Sequence, residues 1–213
     1  MIPFLFESLF FILKPLFYLF CDFKVSGLEN LDELEDKDIG IILASNHSSQ
    51  LDPIVIGIAM RFFSNLRPLY YVSREKEFYK DTALGRFLYG GVFFKCCGAY
   101  PAFPGHNDYA FALSYHLIFL REKRTICIFP EGKRNDGLGD VDPKGGVGYL
   151  AEFTDSIIVP TLMKGTRNAS FFKFFSGKMK ISVTFRKPVY PNELEKGEYK
   201  KNAKMVMNRV YGK

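Results

Sequence analysis

The feature that most constrains the fold is a series of short, unbroken apolar runs, separated by stretches with helical spacing. Ile39-Gly40-Ile41-Ile42-Leu43-Ala44, Pro68 to Val72, Thr125-Ile126-Cys127-Ile128-Phe129 and Ile157 to Leu162 are all of this kind. Such runs fit strands buried on both faces, as in a parallel sheet. Lys180 to Phe185 alternates and reads as a further strand. Between the runs, Asp52-Pro53 predicts a helix start, with Asp as N-cap and Pro at the first helical position, running through Ile54 to about Phe63. Helices are also predicted over Leu84 to Lys95, Asp108 to Arg121 and Gly145 to Phe153, with a charged helix from about Asn192 closing the chain. Strands alternating with helices predict an α/β layered fold with a largely parallel central sheet flanked by helices. A chain of 213 residues is long enough to bury a real core in one domain.

The beginning of the chain departs from that pattern. Met1 to Phe20 is apolar apart from Glu7, Ser8 and Lys14. A secretory signal would place basic residues before the apolar run and small residues at a cleavage site. Neither is present, and Cys21-Asp22-Phe23 is no such site. The run is marginal for a span of about 20 residues, and Lys14-Pro15 interrupts it, since proline lacks the backbone donor a helix needs. Glu7 and Lys14 share a helical face with Ser8 beside them, a narrow polar stripe on an apolar cylinder. The expectation is therefore an N-terminal membrane-associating segment, residues 1–23, made of two short helices hinged near Pro15 and lying in the bilayer interface. A core helix and a true span are the alternatives. The folded domain would occupy residues 24–213, with Ser26-Gly27 and the acidic stretch Glu29 to Asp38 as a polar passage into it.

Composition narrows the partners. The net charge is +6, which suits nucleic acid, an anionic membrane or a phosphorylated ligand. The basic residues are dispersed, and the densest aromatic segment, Phe171-Phe172-Lys173-Phe174-Phe175, carries a single Lys, so nucleic acid is not expected. That segment, with Lys178 and Lys180 nearby, is a candidate second membrane contact, or half of its rings face the core. The 4 Cys include the adjacent pair Cys96 and Cys97 and form no C-x-x-C, and the 3 His lie far apart. Neither a zinc site nor a disulfide framework is expected.

Two segments carry chemistry. His47 directly follows the first buried strand, where open α/β sheets place ligands. Asp52 lies at the start of the next helix, and a loop turning into that helix can bring the two together. Asp52 would hold one imidazole N–H while the other ring nitrogen takes a proton from a substrate hydroxyl. The alternative is a loop histidine and a capping aspartate with no chemistry. Phe129-Pro130-Glu131-Gly132-Lys133-Arg134 ends another buried strand. Strand ends of one parallel sheet share an edge, so this loop is expected to face His47. Arg134 offers a fork for phosphate and Lys133 a point charge, unless both belong to a solvated turn. Ser48 and Ser49 lack the G-x-S-x-G context of a serine hydrolase.

Asn46-His47-x-Ser49-x-x-Asp52 followed by Phe129-Pro130-Glu131-Gly132-x-Arg134 resembles the PlsC-like glycerolipid acyltransferases, which include 1-acylglycerol-3-phosphate acyltransferases. The resemblance runs from Val25-Ser26-Gly27-Leu28-Glu29-Asn30 to Lys187-Pro188, and takes in Lys144-Gly145 and Val159-Pro160. It implies transfer of a fatty acyl group from a thioester of coenzyme A or acyl carrier protein to a lysophospholipid hydroxyl. His47 would be the base and Asp52 its orienter. Asn46, Ser49, Glu131, Gly132, Lys133, Arg134, Lys144, Gly145 and Pro160 would serve the substrate site. A thioester is already activated, so no covalent enzyme intermediate, metal or further cofactor is expected, and Cys127 would be inert packing. The implied setting is the cytoplasmic face of a membrane, with monotopic or peripheral attachment. A lipid-binding protein without turnover is the non-enzymatic alternative. The sequence departs from the family at Lys133, often Thr, and at Phe103-Pro104, where many members carry an Arg that holds the acceptor phosphate.

Overall fold

A computed structural model describes residues 4–73, 97–103, 108–135, 142–167, 169, 171–177 and 179–213. The chain runs α1 (Phe4–Phe20), β1 (Cys21–Ser26), α2 (Glu29–Asp32), β2 (Ile41–Ser45), α3 (Asp52–Ala59), β3 (Leu69–Ser73), β4 (Ala99–Pro101), α4 (Tyr109–Ala112), α5 (Ser114–Arg121), β5 (Thr125–Ile128), α6 (Gly146–Thr154), β6 (Ile157–Lys164), α7 (Phe171–Phe175), β7 (Met179–Phe185) and α8 (Tyr199–Tyr211). The described strands form one seven-stranded sheet in the order β1-β7-β6-β2-β5-β3-β4. Every pairing is parallel except β6 with β7. The expected α/β fold with a largely parallel sheet is what the chain adopts.

Alternate side chains of the central strands feed two cores. Ile41, Leu43, Cys127 and Val159 pack on one face with α1 and α3. Ile42, Ala44, Ile126 and Ile158 pack on the other with α5, α6 and α8. This double burial is the reason the central strands are apolar at every position. β2 lies in the middle, with β5 on one side and β6 on the other, all three parallel. The open edge beyond its carboxyl end is where such sheets form crevices.

The start of the chain differs from expectation. α1 is one continuous helix with Pro15 inside it, not two hinged pieces. Glu7 and Lys14 do not form a wet stripe. Glu7 pairs with Arg67, and Lys14 Nζ donates to the Met60 carbonyl (2.7 Å) while lying over the Phe62 ring. Phe10 and Phe17 are buried in the first core. Phe10 occupies the space where a side chain on Gly57 of α3 would stand. The outward face of α1 carries Leu9, Phe11, Ile12, Tyr18 and Leu19, with Leu19 73% exposed. Among the described residues, no helix is long and apolar enough to cross a membrane.

Other differences are local. β1 starts at Cys21, so a boundary at residue 23 falls inside a strand; its Cys-Asp-Phe-Lys-Val-Ser sequence alternates between buried and exposed. The helix expected over Asp108 to Arg121 breaks at Leu113 (φ −118°, ψ 23°) into α4 and α5. The closing helix starts at Tyr199, after a 3₁₀ turn over Pro191–Glu193. Asp52 is the first helical residue and caps nothing in α3. The expected helix over Leu84 to Lys95 lies outside the described residues.

Candidate active site

β2 ends at Ser45, whose hydroxyl donates to the Thr161 carbonyl (2.9 Å). Asn46 then prolongs the pairing with β6 through its side chain. Its Nδ2 donates to the Met163 carbonyl (3.0 Å) and its Oδ1 accepts from the Met163 N–H (2.8 Å). Both ends of this buried amide are thus used on main chain, so Asn46 anchors the loop rather than presenting itself to a ligand. Ser49 is similarly engaged: its hydroxyl oxygen accepts from the Leu51 N–H (3.2 Å).

The loop between them folds around one oxygen. Asp52 Oδ2 accepts from the Ser48 N–H (2.6 Å) and the Ser49 N–H (2.8 Å), and lies 2.9 Å from His47 Nδ1. Backbone donors require that oxygen to be an acceptor, so Nδ1 carries a proton, and in the neutral ring the lone pair is on Nε2. Asp52 is fully buried, while 20% of the His47 side chain is exposed. The ring stacks on Phe129, with centroids 4.3 Å apart. The pair is built as general-base chemistry requires: an oriented imidazole at the surface, with its carboxylate shielded from water.

The second segment meets the first across the β2–β5 pairing. The Asn135 N–H donates to the His47 carbonyl (2.7 Å), and the His47 N–H reaches Glu131 Oε2 (3.4 Å). Glu131 is 3% exposed, and its other oxygen, Oε1, accepts from the Tyr211 hydroxyl (2.5 Å). Burial raises the Glu131 carboxyl pKa, opposed by the Tyr211 and His47 hydrogen bonds. Burial likewise raises the Tyr211 hydroxyl pKa, and the Glu131 carboxylate adds to it. Gly132 has φ +65°, and a side chain there would collide with the Lys144 side chain. Lys144 is pinned from behind, its N–H donating to the Pro130 carbonyl (2.8 Å). Lys133, Arg134 and Lys144 are exposed, giving the loop three cations at its rim.

The remaining expected site residues stand further from His47. Gly145 is buried, with Tyr109 and Tyr199 filling the space of a side chain. Pro160 is buried inside the sheet opposite Ala44, and its carbonyl accepts from the Arg186 N–H (2.9 Å). Burial raises the Cys127 thiol pKa, aided by the Asp52 charge, which keeps it protonated and a poor nucleophile. Phe103 is described, but Pro104 lies outside the described residues. Sequence reasoning did not single out Thr166, whose hydroxyl meets that of Ser48 (2.9 Å), or Tyr211. Neither belongs to a motif, and only the fold brings them to this edge.

Comparison with known proteins bears on the fold and on the family. The fold is similar to the crystal structure of the 1-acyl-sn-glycerophosphate (LPA) acyltransferase PlsC from Thermotoga maritima, with a TM-score of 0.62 and 19% identity over 97% of this chain and 78% of that one. At that identity the likeness speaks for the fold. No curated protein matches the sequence. The acyltransferase family model matches residues 22–164, well over half of the chain and inclusive of both motifs. The chain belongs to the acyltransferase family.

Proposed function

We propose that the protein transfers a fatty acyl group from an acyl thioester to the hydroxyl of a lysophospholipid, with 1-acylglycerol-3-phosphate as the first acceptor to test. The observation that carries this reading is the His47–Asp52 pair, with Nδ1 committed to the carboxylate and Nε2 left as a base. In the reaction Nε2 takes the acceptor O–H proton as that oxygen attacks the thioester carbonyl. The tetrahedral intermediate collapses with cleavage of the C–S bond. The imidazolium returns its proton to the departing thiolate, giving an ester and a free thiol. The donor is a thioester of coenzyme A or acyl carrier protein, and its activation makes a metal or covalent intermediate unnecessary.

Lys133, Arg134 and Lys144 at the rim suit an anionic headgroup or the phosphates of the donor. Lys133 supplies a cation where the family often has Thr, so it offsets an Arg missing near Phe103-Pro104. Glu131 and Asn46 shape the site by holding its loop. The outward apolar face of α1, with Phe175 of α7 half exposed near its end, supports peripheral docking on the cytoplasmic face of a membrane. Lipid acceptors reside there.

The reading is tested by incubating purified protein with palmitoyl coenzyme A or palmitoyl acyl carrier protein and a panel of lysolipids in mixed micelles. One thiol released per new ester is expected, with lysophosphatidate turned over fastest. Thiol release at the same rate without any acceptor marks a thioesterase and contradicts the proposal.

A further inference from the structure

Tyr211 stands 80 positions from Glu131 in sequence, at the far end of α8. The helix reaches the catalytic edge because its stripe Asn202, Ala203, Val206 and Val210 is buried against the sheet and α6. Its last turn is fixed by Gly212, in the left-handed conformation, and by the Lys213 N–H donating to the Asn208 carbonyl (2.9 Å). The Tyr211 hydroxyl then lies 2.5 Å from Glu131 Oε1, and Glu131 Oε2 faces the His47 N–H. Among the described residues each carboxylate oxygen meets one donor, so the chain Tyr211–Glu131–His47 links the last helix to the base-bearing loop.

We propose that Tyr211 is a positioning residue for acyl transfer, acting through Glu131 to hold the main chain of His47 in register with Asp52. The inference rests on His47 as the base but adds a function for α8, which lies outside the matched family region of residues 22–164. A lost donor leaves the Glu131 carboxylate free to turn from the His47 N–H. The titratable groups facing Glu131 are His47 and Asp52 from the first motif and Tyr211 from α8. The Tyr211 hydrogen bond favours the ionised carboxylate, so its removal raises the Glu131 pKa further. A protonated Glu131 accepts less well, so activity should be lost at a higher pH than in the wild type.

The test is Tyr211→Phe, which keeps the ring and removes only the hydroxyl, compared with Glu131→Gln, the double variant and His47→Ala. The substrates are palmitoyl coenzyme A and lysophosphatidate in mixed micelles. In Tyr211→Phe, kcat should fall roughly tenfold or more, the scale of one bond to a charged group. KM should stay near the wild-type value, the acidic limb of the rate profile should move to higher pH, and the thermal unfolding midpoint should fall by no more than the few degrees that one lost hydrogen bond costs. The double variant should be scarcely worse than Glu131→Gln alone, because both changes break one linkage. Additive effects, or a wild-type kcat and an unmoved acidic limb in Tyr211→Phe beside an inactive His47→Ala, overturn the positioning role and leave the proposed reaction standing. Full turnover in a folded His47→Ala overturns that reaction, and the role of Tyr211 with it.

Discussion

Three donors converge on Oδ2 of Asp52, two of them backbone N–H groups of the loop that carries His47. The carboxylate therefore shapes the loop as well as orienting the ring. Gly132 does comparable work on the other side. Its φ of +65° is one that side chains rarely adopt, and the Lys144 stem occupies the remaining space. Gly132→Ala is expected to cost about 1–2 kcal/mol of stability and to slow turnover by shifting the neighbouring Glu131. Calorimetry and a rate assay check both, and an unchanged variant would show that the loop relaxes freely. The meeting of His47 with Asp52, and of Glu131 with the His47 loop, was legible because both segments follow buried strands of one parallel sheet. The roles of Asn46 and Ser49 were not, since a motif residue that binds main chain looks in sequence like one that binds substrate. Tyr211 carried no signal at all.

At the scale of elements, α1 is the instructive case. Its composition fits an anchor, and its outer face keeps that character with Leu9, Phe11, Ile12, Tyr18 and Leu19. Its inner face is core, which the sequence obscured because both faces are apolar and the two charged groups, Glu7 and Lys14, turn inward. Glu7 finds Arg67, and Lys14 finds the Met60 carbonyl; the partners lie 60 and 46 residues away. Gly57→Ala tests the inner face. Alanine in a helix interior ordinarily stabilises by about 0.8–1.0 kcal/mol relative to glycine. Here the Phe10 ring fills that space, so melting should show a loss of about 1–3 kcal/mol instead. A gain in stability would mean that α1 docks loosely. The outer face calls for vesicles: Ile12, Tyr18 and Leu19 changed together to Ser should weaken binding to anionic liposomes while the melting temperature holds. A large fall in melting temperature would mark these side chains as core. β1 was overlooked for a related reason, being a short alternating strand that follows the helix without a turn.

The whole molecule is an edge of strand ends. β2, β5 and β6 are parallel neighbours, so the loops after Ser45, Ile128 and Lys164 open on one side. The order of apolar runs made that sheet legible, and with it the meeting of the two motifs. Which helices close the edge depended on tertiary packing, as with α8, which a charged sequence does not foretell. The central claim is that this edge is a general-base site for acyl transfer, and rate measurement on His47→Ala tests it most directly. The ring is a partly exposed loop side chain, so the variant should fold and melt like the wild type. Loss of a positioned base costs about 10²–10⁴-fold in rate. Ester formation from palmitoyl coenzyme A and lysophosphatidate, followed with wild-type and variant proteins matched for folding, should fall by that factor. Wild-type ester formation by a folded His47→Ala protein would contradict the account.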